Sequence, residues 1–169
     1  KIQGVEIETS TASHQLVEEC MLLANIEASK KVNTVGIYRI HEEPPFKAIA
    51  RLVDEVNLLG VKVKLQSDVH DTITHIQECA KKTMLSKEID ELIIQSQTQA
   101  KYYSKNAGHF GLGFSSYSHF TSPIRRYSDL VLHRILKTKQ TPKDIDAICE
   151  HISTNERKVD QLVWDFEDR

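Results

Sequence analysis

Residues 118–134 read SHFTSPIRRYSDLVLHR, and this stretch decides how we interpret the rest of the sequence. Thr121 or Ser122 can accept a backbone N–H bond as the cap of a helix N-terminus. Pro123 suits the first helical turn, because its missing N–H costs nothing there. The pattern therefore predicts a helix from Ser122 to Lys139.

Two adjacent arginines, Arg125 and Arg126, then fall in the first turn of the predicted helix. Cations are mildly unfavourable there, because a helix N-terminus carries partial positive charge. An anion reverses the sign, since free N–H groups, a hydroxyl and two guanidinium groups can converge on one phosphate. Arg125 can instead pair with Asp129 at i+4, and the spacing alone does not choose between the two interpretations.

Further along the predicted helix, His133 falls on the same face as Arg125 and Asp129. A lone histidine in such a place is more typical of a hydrogen-bonded structural residue than of a catalyst. The buried stripe of this helix is expected to consist of Ile124, Tyr127, Val131 and Ile135.

The chain has 169 residues, of which 40% are hydrophobic and 27% charged, values typical of one soluble globular domain. No secretory signal or membrane-spanning run is expected. The net charge of −2 gives no sign of a nucleic-acid partner, but 121–140 holds five basic residues against one aspartate. This basic segment fits either a phosphate-binding face or a solvated helix.

The three cysteines form no CxxC pair, so the sequence predicts neither a disulfide framework nor a zinc site. We expect all three to be small buried side chains in a reducing compartment. Adjacent acidic pairs on helices do not converge, and Asp68 and Asp71 are better interpreted as helix-cap residues, so no metal ligands are predicted within this chain.

The remaining pattern predicts a helix-dominated α+β fold with a few short strands. A first helix begins near Ser13 or His14 with an apolar stripe of Val17, Cys20, Met21, Ala24 and Ala28. Further helices are expected from Pro45 to Gly60, from Asp68 to about Lys82, over 86–101 and over 142–169. A strand is expected over 35–40, and a glycine-rich close-approach loop with short strands over 102–120.

The string HFTSPIRRY-D---HR, within 119–134, resembles the characteristic motif of the RNB family of exoribonucleases (ribonuclease II and ribonuclease R type). Four other blocks agree in the same order: LVEECMLLAN (16–25), YRIHEEP (38–44), YSKNAGHFGLG (103–113) and ERK (156–158). The matching blocks lie within about residues 13–168 and are most similar to the ribonuclease R branch.

This resemblance implies that 1–169 is the C-terminal portion of an RNB catalytic domain. It implies 3′→5′ hydrolysis of single-stranded RNA, processively, to nucleoside 5′-monophosphates, in the cytoplasm, with Mg²⁺ as cofactor. The family's aspartate cluster, which holds the metal, is absent from these residues and is expected upstream. The flanking cold-shock and S1-type domains are absent as well, and an RNA helicase or a degradation complex is an expected partner. Both chain ends look like cuts.

The resemblance also implies residue roles. Arg125 matches the arginine that grips the scissile phosphate, and Glu18 matches a glutamate that contacts the ribose. The other expected RNA-binding residues are Asn25, His109, His119, Thr121, Ser122, Arg126, His133 and Arg134.

Two further hypotheses remain. The chain can be a non-catalytic RNA-binding or regulatory module that lacks the metal site, or a helical scaffold for a protein partner. Taken alone, the chain is expected to bind RNA weakly and in a salt-sensitive way, without hydrolysis.

Overall fold

The computed structural model describes residues 10–32 and 35–167. Within them the chain forms six α-helices, one short 3₁₀ helix and a two-stranded sheet, which confirms a helix-dominated α+β fold. The elements in chain order are α1 (Ala12–Lys30), β1 (Tyr38–Ile40), α2 (Phe46–Leu58), α3 (Val69–Ala80), α4 (Ser86–Ser96), β2 (Lys101–Tyr103), the 3₁₀ helix (Phe110–Leu112), α5 (Tyr127–Thr138) and α6 (Ile145–Glu167).

The first of two compact units holds α1, β1, β2, α5 and α6. Its strands pair antiparallel, with Arg39 opposite Tyr102. Helix α6 covers the outer edge of β2, where the Tyr102 N–H donates to Ser153 Oγ over 2.9 Å. On the other side of β1, the Arg39 N–H donates to the Tyr117 carbonyl over 2.9 Å. The loop that leads to the arginines is thereby tied to the sheet.

Apolar side chains from all five elements fill the core of the first unit. Its buried members include Ala28, Ile37, Ile40, Val131, Leu132, Ile135, Ile145 and Cys149. Burial raises the pKa of the Cys149 thiol to about 12, so this cysteine stays protonated and unreactive at neutral pH.

The second unit consists of His41–Ala100 and His109–Gly113, and its core lies between α2, α3 and α4. Helix α2 begins directly after Pro45 and is followed by Gly60 at φ +89°, a left-handed conformation that favours glycine. Asp68 caps α3 as predicted.

The glycine-rich segment makes the predicted close approach within the second unit. The Gly111 N–H donates to His41 Nδ1 over 2.8 Å, and a Cβ at Gly111 would lie 2.8 Å from the same nitrogen. The opposite ring nitrogen, His41 Nε2, donates to the Thr98 carbonyl over 2.6 Å. Only glycine fits beside a histidine held in this way.

Two predicted helix boundaries are wrong. Helix α5 begins at Tyr127, not at Ser122, because Arg126 is extended (φ −125°, ψ 118°) and serves as the N-cap residue. Helix α4 ends at Ser96, five positions before the expected end, because Lys101–Tyr103 pairs with β1 as a strand. Strand pairing across the sheet overrides local helical periodicity here.

Several side chains predicted to be buried are exposed. Val17 is 58% and Ile124 fully exposed, and Tyr127 is 51% exposed. Among the cysteines, Cys20 is exposed and Cys79 is partly buried, so the expectation of three buried cysteines holds only for Cys149. Within the part of the chain that the structure describes, no helix is long and apolar enough to cross a bilayer.

Candidate RNA-binding site

The arginine motif forms a turn that stands directly before α5. The N–H groups of Arg125 and Arg126 both donate to the Ser122 carbonyl, over 3.3 and 3.0 Å. Pro123 starts this turn, so its missing N–H is tolerated as predicted, although the turn is not part of the helix. The Arg125 side chain is exposed, and it makes no hydrogen bond or ion pair with any residue that the structure describes.

Asp129 holds this turn from the first turn of α5. Its side chain is fully buried and accepts the Ser122 N–H over 2.7 Å and the Ser128 hydroxyl over 3.0 Å. Arg126 donates from Nε and Nη2 to the two carboxylate oxygens, each over 3.0 Å. Asp129 therefore pairs with Arg126 at i+3 rather than with Arg125 at i+4, which resolves the alternative that the spacing left open.

Asn25 on α1 holds the segment that precedes the turn. Its side chain is buried, and its Oδ1 accepts the N–H groups of Phe120 and Thr121 over 2.9 and 3.2 Å. Its Nδ2 donates to the Tyr117 hydroxyl over 3.0 Å. All of these bonds are to protein groups, so the geometry gives Asn25 the task of fixing backbone rather than reaching a ligand.

His133 and Phe120 make a second attachment between the segment and α5. Their rings stack with centroids 4.1 Å apart and an interplanar angle of 4°. His133 Nε2 also lies 2.9 Å from the Phe120 carbonyl oxygen, a hydrogen bond that requires the proton on Nε2. Thr121, the next residue, has a buried Oγ1 without a hydrogen-bond partner among the described residues.

A chain of polar and aromatic contacts joins this segment to the sheet and to α6. His119 Nδ1 lies 2.8 Å from the Tyr102 hydroxyl. Burial raises the pKa of Tyr102, so that hydroxyl stays protonated and can donate to His119. The Arg39 guanidinium lies 4.8 Å from the Tyr102 ring centroid and binds Glu156 Oε2 over 2.5 Å. Glu156, the first residue of the ERK block on α6, thus contributes an ion pair that supports the sheet.

The other predicted RNA-binding residues lie outside this network. Glu18 is exposed on α1, about two helical turns before Asn25. Arg134 is exposed on α5. His109 belongs to the second unit, where its ring lies 5.1 Å from that of His41. The structure therefore brings together Asn25, His119, Thr121, Ser122, Arg125, Arg126 and His133, all within the first unit.

Sequence reasoning missed the positioning role of Asp129 and the contributions of Tyr117, Tyr102 and Arg39. The position of Asp129, three residues after Arg126 and near the start of a helix, is the signal that could have revealed this role. The other three contacts join residues far apart in the chain, and no local pattern reveals them.

A family model described as RNB domain matches residues 1–141. Ribonuclease R of Helicobacter pylori is 35% identical over an alignment that covers 98% of this chain and 28% of that relative. The chain belongs to the RNB family. It spans little more than a quarter of the length of this ribonuclease R.

Solved structures share the RNB fold of this chain. RNase R of Mycoplasma genitalium, solved in complex with ribose methylated single-stranded RNA, has a TM-score of 0.80 and 24% identity, and the match covers 91% of this chain and 27% of that one. Yeast Ssd1, described as a pseudonuclease, has a TM-score of 0.65 and 19% identity, with 85% of this chain and 19% of that one covered. Both likenesses concern the fold alone.

The magnesium implied for RNB enzymes does not fit the described part of this chain. Among those residues no three His, Cys, Asp or Glu side chains lie close enough together to hold a metal ion. Asp68 is the predicted helix cap, and its Oδ1 accepts the N–H groups of His70 and Asp71. Asp129 is buried and committed to Arg126.

Proposed function

We propose that the protein carrying these residues is a 3′→5′ exoribonuclease that hydrolyses single-stranded RNA processively to nucleoside 5′-monophosphates. In this proposal the chain is the C-terminal portion of the catalytic domain. It supplies a phosphate-gripping arginine and a wall of the RNA channel, while the aspartates that bind Mg²⁺ lie upstream. Membership of the RNB family and similarity to ribonuclease R support this function.

The observation that carries the proposal is the contrast between Arg125 and its surroundings. The guanidinium is exposed and unpaired among the described residues, on a turn whose backbone is fixed by the Ser122 carbonyl and by Asp129. A free planar cation on a rigid support suits a phosphate, because it can bind two oxygens without reorganising. We assign Arg125 to the scissile phosphate.

The other residues divide into two groups. Glu18 and Arg134 are exposed and remain proposed RNA contacts, Glu18 for a ribose 2′-hydroxyl. Arg126, Asn25 and His133 bind protein groups, so any RNA contact they make is secondary to fixing the arginine turn. His109, His119, Thr121 and Ser122 stay proposed as residues that line or shape the RNA path. We further propose a cytoplasmic location and a helicase or degradation complex as partner, both on the resemblance alone.

Hydrolysis by the full-length protein tests this function. With 5′-labelled single-stranded RNA and Mg²⁺, we expect stepwise shortening from the 3′ end. Arg125→Ala is expected to lower kcat by about 10²–10³-fold, the effect of removing one group that stabilises transition-state charge. Lys87→Ala, at an exposed position on α4, is the matched control and should leave kcat unchanged. Equal activity of Arg125→Ala and the control would refute the assignment.

A non-catalytic RNA-binding module is the second candidate. The observation behind it is that no metal-binding cluster lies among the described residues. The same assay separates the two candidates, because a module of this kind binds the RNA without shortening it at any Mg²⁺ concentration.

A further inference from the structure

His41, the residue that follows β1, is a buried side chain whose two ring nitrogens are both bonded within the second unit. The residue is 7% exposed. Its Nε2 donates to the Thr98 carbonyl over 2.6 Å, and its Nδ1 accepts the Gly111 N–H over 2.8 Å. Because the imidazole has no third nitrogen, these two bonds define a neutral ring with its proton on Nε2.

His41 also holds the backbone of the glycine-rich loop (109–113). Its carbonyl accepts the Phe110 N–H over 2.8 Å, so one histidine binds two consecutive N–H groups of the loop. The Phe110 side chain packs against the core between α2, α3 and α4. The Gly113 N–H then closes the loop by donating to the Phe110 carbonyl over 3.0 Å. The position of the loop in the second unit therefore depends on His41.

The segment between α4 and β2 (97–100) keeps the His41 ring in this orientation. Thr98 accepts from the ring and also donates from Oγ1 to the Glu42 carbonyl, so it binds two consecutive residues. At the other ring nitrogen, the Gly111 backbone comes so near that a Cβ there would lie 2.8 Å from Nδ1. The ring is therefore held at both of its nitrogens.

His109 is the side chain whose place this arrangement decides. It directly precedes the two bonded N–H groups, and its ring lies 5.1 Å from that of His41, at an angle of 45°. The pair does not suit a metal ion, because His41 could ligate one only by breaking its bond to Gly111 or to Thr98. What His41 does is fix the backbone beside His109.

We infer that His41 is a positioning residue, which fixes the 109–113 loop and thereby holds His109 in place to contact RNA. His41 is buried and both ring nitrogens are occupied, so it acts only through the loop. Arg125, which we assign to the scissile phosphate, belongs to the first unit, so the effect of the loop is expected on RNA binding rather than on the reaction step. The inference rests on the proposed function, in which His109 lines or shapes the RNA path.

The test uses the full-length protein and two measurements, residue-level hydrogen exchange at Gly111 and the KM for single-stranded RNA. His41→Phe keeps a ring and removes both side-chain bonds. Exchange at Gly111 should become about 2- to 10-fold faster, the change that the loss of one hydrogen bond makes in a local opening equilibrium. KM should rise by about 2- to 10-fold through the lost contact of His109, with kcat unchanged.

Two conservative variants separate the Gly111 bond from the size of the ring. His41→Asn places Oδ1 near the position of Nδ1, where it can accept the Gly111 N–H, so it should bring both values back toward those of the original protein. His41→Gln places its amide near the position of Nε2 instead, so it should behave like His41→Phe. This pair decides the question even if His41→Phe does not fold.

A second pair of variants tests the route through His109. His109→Ala should raise KM as His41→Phe does, and the two substitutions together should add nothing further. Asn57→Ala is the control, because the Asn57 side chain also binds backbone in the second unit, at the Val63 N–H over 3.0 Å, but outside the loop. It should change neither Gly111 exchange nor KM.

The outcomes separate this inference from the proposed function. Unchanged Gly111 exchange in His41→Phe and His41→Gln, an unchanged KM in His109→Ala, or effects of His41→Phe and His109→Ala that add would each overturn the inference and leave the proposed function standing. If the original protein does not shorten RNA, the proposed function fails. RNA affinity then replaces KM, and the exchange measurement at Gly111 tests His41 as before.

Discussion

Arg125 and Arg126 are neighbours in the chain, but their side chains have different surroundings. Arg126 is held by a carboxylate that is itself fully buried, whereas Arg125 projects from the same turn without a partner among the described residues. The sequence predicted that this pair of arginines matters. It could not predict which arginine binds the protein, because both i+3 and i+4 spacings bring an arginine within reach of Asp129.

This contrast predicts that two adjacent substitutions differ in how much they lower stability. Arg126→Ala leaves the buried Asp129 carboxylate without its cation, so we expect the free energy of unfolding to fall by about 2–4 kcal/mol. Arg125→Ala, at an exposed position with no partner in the described part of the chain, should change it by no more than about 0.5 kcal/mol. Urea denaturation of both variants measures the difference. Equal destabilisation by the two substitutions would mean that the Asp129 pair does not support the turn.

At the scale of elements, α1 and α5 act together on the segment that carries the arginines. Asn25 binds two backbone N–H groups of the segment, and Asp129 binds a third. The helices themselves were largely predictable from periodicity and caps, as Asp68 and Pro45 illustrate. The packing of these helices was harder to predict. Periodicity locates the apolar stripe of α1, but it does not show whether another element covers that stripe. Val17, which belongs to the stripe, is exposed.

Removing the α1 attachment should loosen the arginine segment. Asn25→Ala removes the acceptor of two part-buried N–H groups, so we expect a loss of about 1–3 kcal/mol of unfolding free energy and faster amide exchange over 117–121. Glu27→Ala is the control on the same helix, because its ion pair with Lys30 is exposed and contributes little. Hydrogen-exchange mass spectrometry reports both effects. Unchanged exchange over 117–121 in Asn25→Ala would contradict the positioning role.

At the scale of the whole molecule, the sequence motif anticipated the RNB fold. The family model and the alignment with ribonuclease R, which covers 98% of this chain, agree with it. The support that α6 gives to the sheet was not predictable, because the Arg39–Glu156 ion pair joins residues 117 positions apart in the chain. A net charge of −2 likewise gave no hint of RNA, since the phosphate-binding capacity we propose rests on where one cation is placed.

The measurement that tests the central claim most directly is the binding of 5′-labelled single-stranded RNA to this 169-residue chain over a series of salt concentrations, with cleavage read from the same samples in Mg²⁺. We predict salt-sensitive binding without shortening. Arg125→Ala should weaken the binding and reduce the slope of log K against log salt by about 0.7, the contribution of one phosphate contact on a single strand. Lys87→Ala should leave both unchanged. Binding and slope that are identical in Arg125→Ala and the original chain would contradict the account, and stepwise shortening would show that a metal site within these residues had been overlooked.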